Sequence, residues 1–234
     1  MTFVKICGLT NFADAHAALE AGADYLGFIF YEKSPRRADP ETVARITSVF
    51  AGQDRYKTLV SVGVFVNPSE TEAKTALNAW GLKAVQAHKV NATELESIRR
   101  VTYGAAFAAV QPRSLDEALT ALELVRFDSG LGNDLHRTPG WCPQLLIDGF
   151  HPALYGGTGQ RVNFELAREM AARIPRLVLA GGLTPDNVGE VVRTVHPWAV
   201  DVASGVEASP GNKDHGKLRA FIQAVREAEK ELSK

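Results

Sequence analysis

Cysteine is almost absent: Cys7 and Cys142 are the only two in 234 residues, and neither lies in a CxxC pair or a Cys/His cluster. That argues against both a disulfide framework and a structural zinc site. Long apolar runs are missing too, none approaching the roughly 18 residues that cross a bilayer. The opening MTFVKICGLT runs straight into a strand-like segment without the basic, apolar and small-residue regions of a secretory signal. A cytoplasmic protein without membrane contact is expected. Charge of one sign is also lacking, with 26 Lys and Arg against 27 Asp and Glu and the basic residues scattered. No nucleic-acid footprint is visible, and any anionic ligand has to be held by a local arrangement. No GxGxxG follows the first strand-like run, which argues against a doubly wound dinucleotide fold.

What is present is alternation. Short β-rich apolar runs (FVKIC, DYLGFIF, YKTLVSVGVFV, LKAVQAH, GAAFAAV, PQLLIDGF, RLVLAGG, WAVDVASG) are each followed by an amphipathic stretch, giving eight β/α units. The runs are apolar on both faces, as strands are when helices cover one side and a barrel interior the other. The expected fold is α/β, a single (β/α)₈ TIM barrel forming one catalytic domain over residues 1–234. Asn11 reads as the cap of the first helix, Pro40 and Pro185 as first-turn prolines, and Gly22 and Gly81 as residues that follow helix ends. From Phe127 to Pro143 the rhythm breaks into Gly, Asp, Asn and Pro, which reads as a loop at the N-terminal face with no catalytic role.

In such a barrel the residues at the C-terminal strand ends line the active site. In chain order these are Cys7, Phe30 with Ser34, Pro35 and Arg36, Val66 with Asn67, His88, Gln111, Asp148, Gly181 with Gly182, and Ser204 with Gly205. Gly156, Gly157, Gly181, Gly182, Ser204 and Gly205 fall in three successive late loops. Exposed backbone N–H groups there suit a phosphate, although single glycines of this kind also serve plain tight turns. Asp148 ends the apolar run QLLID, where burial would raise its pKa and make it a general acid; a helix cap or an ion pair is the competing role. Cys7 is either a small buried hydrophobe or a base. Lys5, two residues earlier on the same strand face, would favour its thiolate. Arg36 suits a carboxylate, or with Arg37 is a solvated loop charge; His88 is a ligand contact or a hydrogen-bonded filler; Asp201, inside the last strand, reads as barrel support. Cys142 reads as structural or incidental.

The sequence KICGLTNFADAHAALEAGADYLGFIF with SPR, then VQAH, LLIDG, YGGTG, LAGGLTPDNV and VDVASGVEASPGNKD, resembles the phosphoribosylanthranilate isomerase family, block after block over nearly the whole chain. The resemblance implies an isomerase of tryptophan biosynthesis that carries out an Amadori rearrangement on a small phosphosugar without metal or cofactor. It also implies that Cys7 is the base, Asp148 the acid, Arg36 the contact to the anthranilate carboxylate and the late glycines the phosphate cradle. The related Amadori isomerase of histidine biosynthesis and a non-catalytic phosphosugar-binding barrel are the alternatives; Cys7 stands where the former resembles a two-aspartate enzyme. Whether the chain is a monomer or a homodimer is left open.

Overall fold

The computed structural model describes residues 1–53, 56–128, 138–149 and 159–232. Eight parallel strands close into a barrel in chain order: β1 (Phe3–Ile6), β2 (Tyr25–Ile29), β3 (Val60–Val66), β4 (Ala84–His88), β5 (Ala106–Val110), β6 (Leu145–Ile147), β7 (Leu177–Leu179) and β8 (Ala199–Val202). The helices around it are α1 (Phe12–Glu20), α2 (Pro40–Ala51), α3 (Glu70–Trp80), α4 (Ala92–Val101), α5 (Leu115–Thr120), α6 (Gly159–Arg173), α7 (Val188–Val195) and α8 (His215–Leu232). No helix among the described residues is long and apolar enough to cross a membrane.

Strand parity separates two cores. Val4, Ile6, Leu26, Phe28, Val85, Ala87, Leu177 and Leu179 pack outward against the helices. Tyr25, Val60, Val62, Ala84, Phe107, Leu146, Val178 and Ala199 fill the barrel interior. At the N-terminal end that interior is stoppered by aromatic rings, with the Trp198 ring centroid 4.8 Å from Phe3 and 5.9 Å from Tyr25. The Tyr25 hydroxyl donates to the carbonyl of Trp141, and buried Cys142 belongs to the same interior cluster, so its structural reading holds. The barrel interior is therefore filled at its N-terminal end.

Local signals worked where they rested on backbone hydrogen bonds. Asn11 Oδ1 accepts from the Asp14 N–H at 2.9 Å. Pro40 occupies the first turn of α2 behind the Asp39 cap, and Gly81 closes α3 in a left-handed conformation with φ 63°. Pro185 differs: it lies in a turn ahead of α7, where the Asn187 side chain accepts from the Thr184 N–H at 2.9 Å. The fifth helix also breaks early. Residues Ala121–Asp128 wind as a 3-10 helix, so the segment expected to be a loop from Phe127 begins with helical backbone. A hairpin that the sequence did not announce, β9 (Glu207–Ser209) with β10 (Asn212–Lys213), follows β8.

Phe107 is fully buried in the interior layer below the strand ends. Phe107→Ala should lower stability by about 3–5 kcal/mol in urea unfolding. At a temperature where the variant stays folded its kcat should match wild type, and a large kcat loss would contradict the separation of the two barrel ends.

Candidate active site

The site starts from a charge pair inside the barrel. β1 lies beside β8 with Lys5 in register with Asp201, and parity turns both side chains inward. Lys5 Nζ meets Asp201 Oδ1 at 3.0 Å, with only 1% of the lysine side chain exposed. Two charges stripped of water this way are tolerable only as a pair; removing one partner costs about 3–5 kcal/mol. Gly27 on β2 makes the space. A Cβ there would stand 2.8 Å from Cys7 Sγ and 3.0 Å from Lys5 Nζ.

Cys7 sits one step above this pair, buried and reduced. Burial pushes its thiol pKa up; Lys5 pulls it down, and Asp201 pushes it up again. The net direction is upward: Lys5 favours the thiolate as expected, but burial outweighs it, and Asp201 offsets part of the lysine's pull. Burial alone would lower Lys5, but Asp201 and Cys7 outweigh it and hold the ammonium above its ordinary pKa.

Above the pair opens a cavity of about 550 Å³ whose lining includes Cys7, Arg36, Gln86, His88, Asp148, Asp201 and the loops after β7 and β8. Asp148 follows β6, and its backbone N–H bonds to the Val110 carbonyl at 2.8 Å. Its side chain is half-buried rather than enclosed, because the strand end meets the cavity, and Gln111 Nε2 donates to Asp148 Oδ2 at 3.0 Å. The expectation of a buried carboxyl is therefore not met, while its position on the cavity is. His88 has its pKa lowered by burial, with Asp148 opposing, so the ring is neutral near neutral pH.

Arg36 lies at the rim. Its Nε and Nη2 edge is taken by Glu207, at 2.9 Å to Oε1 and 2.8 Å to Oε2. Glu207 also accepts from Lys213 Nζ at 3.0 Å, and Lys213 N donates to Asp14 Oδ2 at 2.9 Å, so the hairpin ties Arg36 to α1. Arg36 is thus no solvated loop charge, and the hydrogen bonds to Glu207 involve its Nε and Nη2. Ser204 and Gly205 lie in a 3-10 turn after β8. A Cβ on Gly205 would stand 1.9 Å from the Leu183 carbonyl oxygen, which makes glycine the residue that lets the loops after β7 and β8 touch beside Gly181 and Gly182.

The structure thus brings Cys7, Arg36, His88, Asp148, Gly181, Gly182, Ser204 and Gly205 to one cavity. Gly156 and Gly157 lie outside the described residues. Sequence reasoning missed Gln86 and Glu207. Gln86 shares the inward face of β4 with His88 two residues on, a parity signal that was available; Glu207 acts through a hairpin and had none.

A family model described as N-(5'-phosphoribosyl)anthranilate (PRA) isomerase matches residues 4–224. The chain belongs to the N-(5'-phosphoribosyl)anthranilate isomerase family. A relative of that name from Trichlorobacter lovleyi is 42% identical over 228 residues, covering 97% of this chain and all of the relative. One from Pseudomonas fluorescens is 40% identical over 223 residues, 95% of this chain and 97% of the relative. Among solved structures, the Thermotoga maritima phosphoribosyl anthranilate isomerase superposes with a TM-score of 0.79 at 34% identity, over 97% of this chain and all of that one. Another isomerase structure in the family, in complex with reduced 1-(o-carboxyphenylamino)-1-deoxyribulose 5-phosphate, gives a TM-score of 0.78 at 32% identity over 97% of this chain and all of that one.

In this isomerase-family barrel burial raises the Cys7 pKa, Lys5 lowers it, and Asp201 opposes Lys5. Asp201→Asn leaves the lysine charge unopposed, so the thiol pKa should fall. The pH dependence of Cys7 alkylation by iodoacetamide reads this: the midpoint moves to lower pH than in wild type, and an unmoved midpoint contradicts the assignment.

Proposed function

We propose that this chain isomerises N-(5'-phosphoribosyl)anthranilate to 1-(o-carboxyphenylamino)-1-deoxyribulose 5-phosphate in tryptophan biosynthesis, with Cys7 as general base and Asp148 as general acid. The observation that carries the reading is that a thiol and a carboxyl, on β1 and after β6, open onto one cavity rimmed by an arginine and glycine-bearing loops. The reaction needs only proton transfers. Asp148 protonates the furanose ring oxygen, the C1′–O bond breaks, and the nitrogen lone pair forms a Schiff base. The minor deprotonated form of Cys7, its thiol proton given up to solvent and its charge favoured by the Lys5 ammonium, removes the C2′ proton, the C–H electrons form the C1′=C2′ bond, and the iminium is neutralised. The resulting enolamine returns a proton to C1′ and loses one from the C2′ hydroxyl, giving the ketone with no redox change. Each transfer contributes on the order of 10² to 10⁴ in rate.

The remaining groups bind. Backbone N–H groups of Gly181, Gly182, Ser204 and Gly205 cradle the phosphate, with Gly156 and Gly157 assigned to the same cradle by the sequence. Arg36 Nη1 takes the anthranilate carboxylate, while Glu207 fixes the guanidinium plane. His88 contacts the substrate between these ends. We assign the enzyme to the cytoplasm as one catalytic domain, acting on its phosphosugar without nucleic acid, membrane or cofactor. Its assembly is a monomer or a homodimer; the Thermotoga maritima relative is dimeric, and monomers generated from it have been solved.

Cys7→Ala and Asp148→Asn should each lower kcat by about 10²-fold or more with KM changed only a few-fold, in a fluorescence assay of substrate loss. Near-wild-type kcat in either variant overturns its role. Gly205→Ala places a Cβ against the Leu183 carbonyl, so it should weaken inorganic phosphate binding about tenfold by calorimetry. Unchanged phosphate affinity would move the cradle elsewhere.

A further inference from the structure

The floor of the cavity holds a polar group that the catalytic reading does not use. Gln86 on β4 points inward and is only 3% exposed, yet it lines the cavity. Its Nε2 lies 3.0 Å from His88 Nε2. Its carbonyl oxygen, Oε1, is buried without a hydrogen-bond partner among the described residues. A buried amide half with no partner carries a desolvation penalty of about 1–3 kcal/mol, so a ligand that meets it removes a cost the free protein bears.

The chemistry of the pair limits what that ligand group is. When Nε2 of the amide donates to the imidazole, the ring proton sits on Nδ1, and the pair presents the amide carbonyl as acceptor and the second amide N–H and the Nδ1–H as donors. Turning the amide over leaves its NH₂ unpartnered instead of its carbonyl. A phosphate or carboxylate oxygen accepts only and is repelled by a carbonyl. A hydroxyl, which both donates and accepts, satisfies either arrangement.

We propose that Gln86 is a substrate-binding residue that hydrogen-bonds a hydroxyl of the sugar, with His88 beside it as the second contact. This rests on the phosphosugar reading above and deepens it: the anionic ends bind at the rim, and the uncharged middle is read from the floor. That hydroxyl is the C3′ one, which does not react and is present in substrate and product alike, so the bond holds both and acts on binding more than on the chemical step.

Gln86→Met tests this, because it keeps side-chain volume while removing both polar atoms. Wild type and variant are compared in turnover, in calorimetric binding of reduced 1-(o-carboxyphenylamino)-1-deoxyribulose 5-phosphate and of inorganic phosphate, and in melting temperature. The expected result is analogue affinity weakened about tenfold or more, phosphate affinity unchanged, kcat within about threefold of wild type, and a melting temperature at or near the wild-type value. Unchanged analogue affinity overturns the proposal. So does a parallel fall in phosphate affinity and melting temperature, or loss of the folded state, each of which assigns Gln86 to packing. An inactive wild type instead refutes the isomerase reading, which keeps the two failures distinguishable.

Discussion

Closing eight parallel strands brings the first strand beside the last, and here the seam carries a lysine and an aspartate where an apolar pair would pack without desolvation cost. Buried ion pairs seldom stabilise a fold better than hydrophobic residues of the same volume, so this one is better understood through what it does to its neighbours. Lys5 touches Cys7 electrostatically, and Asp201 limits how strongly it does so. Burial raises the thiol's pKa and the pair adjusts it, while Gly27 on the adjacent strand leaves room for Cys7 and Lys5. In the proposed mechanism Cys7 rests as a thiol beside a cation and acts through its deprotonated form, and a smaller resting thiolate fraction leaves less nucleophile for alkylation and oxidation.

Around this centre the barrel divides along its axis. The lower interior is filled by Val62, Phe107, Val178 and Ala199 and stoppered by Phe3, Tyr25 and Trp198, which supplies rigidity without chemistry. The upper end is polar and open. Its rim is held by the Arg36–Glu207–Lys213 cluster, in which one buried carboxylate meets two cations and so orients the arginine before a ligand arrives. Burial opposes the ionised form of Glu207, but its contacts with Arg36, Lys213 and the Gly211 N–H hold its pKa below the usual carboxylate range. Preorganisation of this kind reduces the entropy lost on binding.

The eight β/α units were legible because each strand is a short apolar run and each helix an amphipathic one, signals that depend on neighbours along the chain. The strand-end rule then located Cys7, Asp148, His88 and Arg36, since parity and chain order suffice to place them. What depended on closure was hidden. The register of Lys5 with Asp201 joins residues at opposite ends of the sequence, so the lysine's influence on Cys7 was read without its counterweight. The hairpin bearing Glu207 is short, polar and turned at Gly211, too brief for a periodic signal. The enclosure expected for Asp148 failed because an apolar strand does not reveal whether its last residue faces packing or a cavity. Gln86 was within reach: the two-residue spacing that linked Lys5 to Cys7 also links it to His88.

The measurement closest to the central claim is the titration of Cys7 itself, followed by NMR of protein labelled with ¹³C at the cysteine Cβ, with Cys142→Ser identifying the signals. The account predicts a Cys7 midpoint above the ordinary thiol value of about 8.5 in the unliganded enzyme. A midpoint at or below neutrality would show a standing thiolate and contradict a thiol held up by burial against the pull of Lys5.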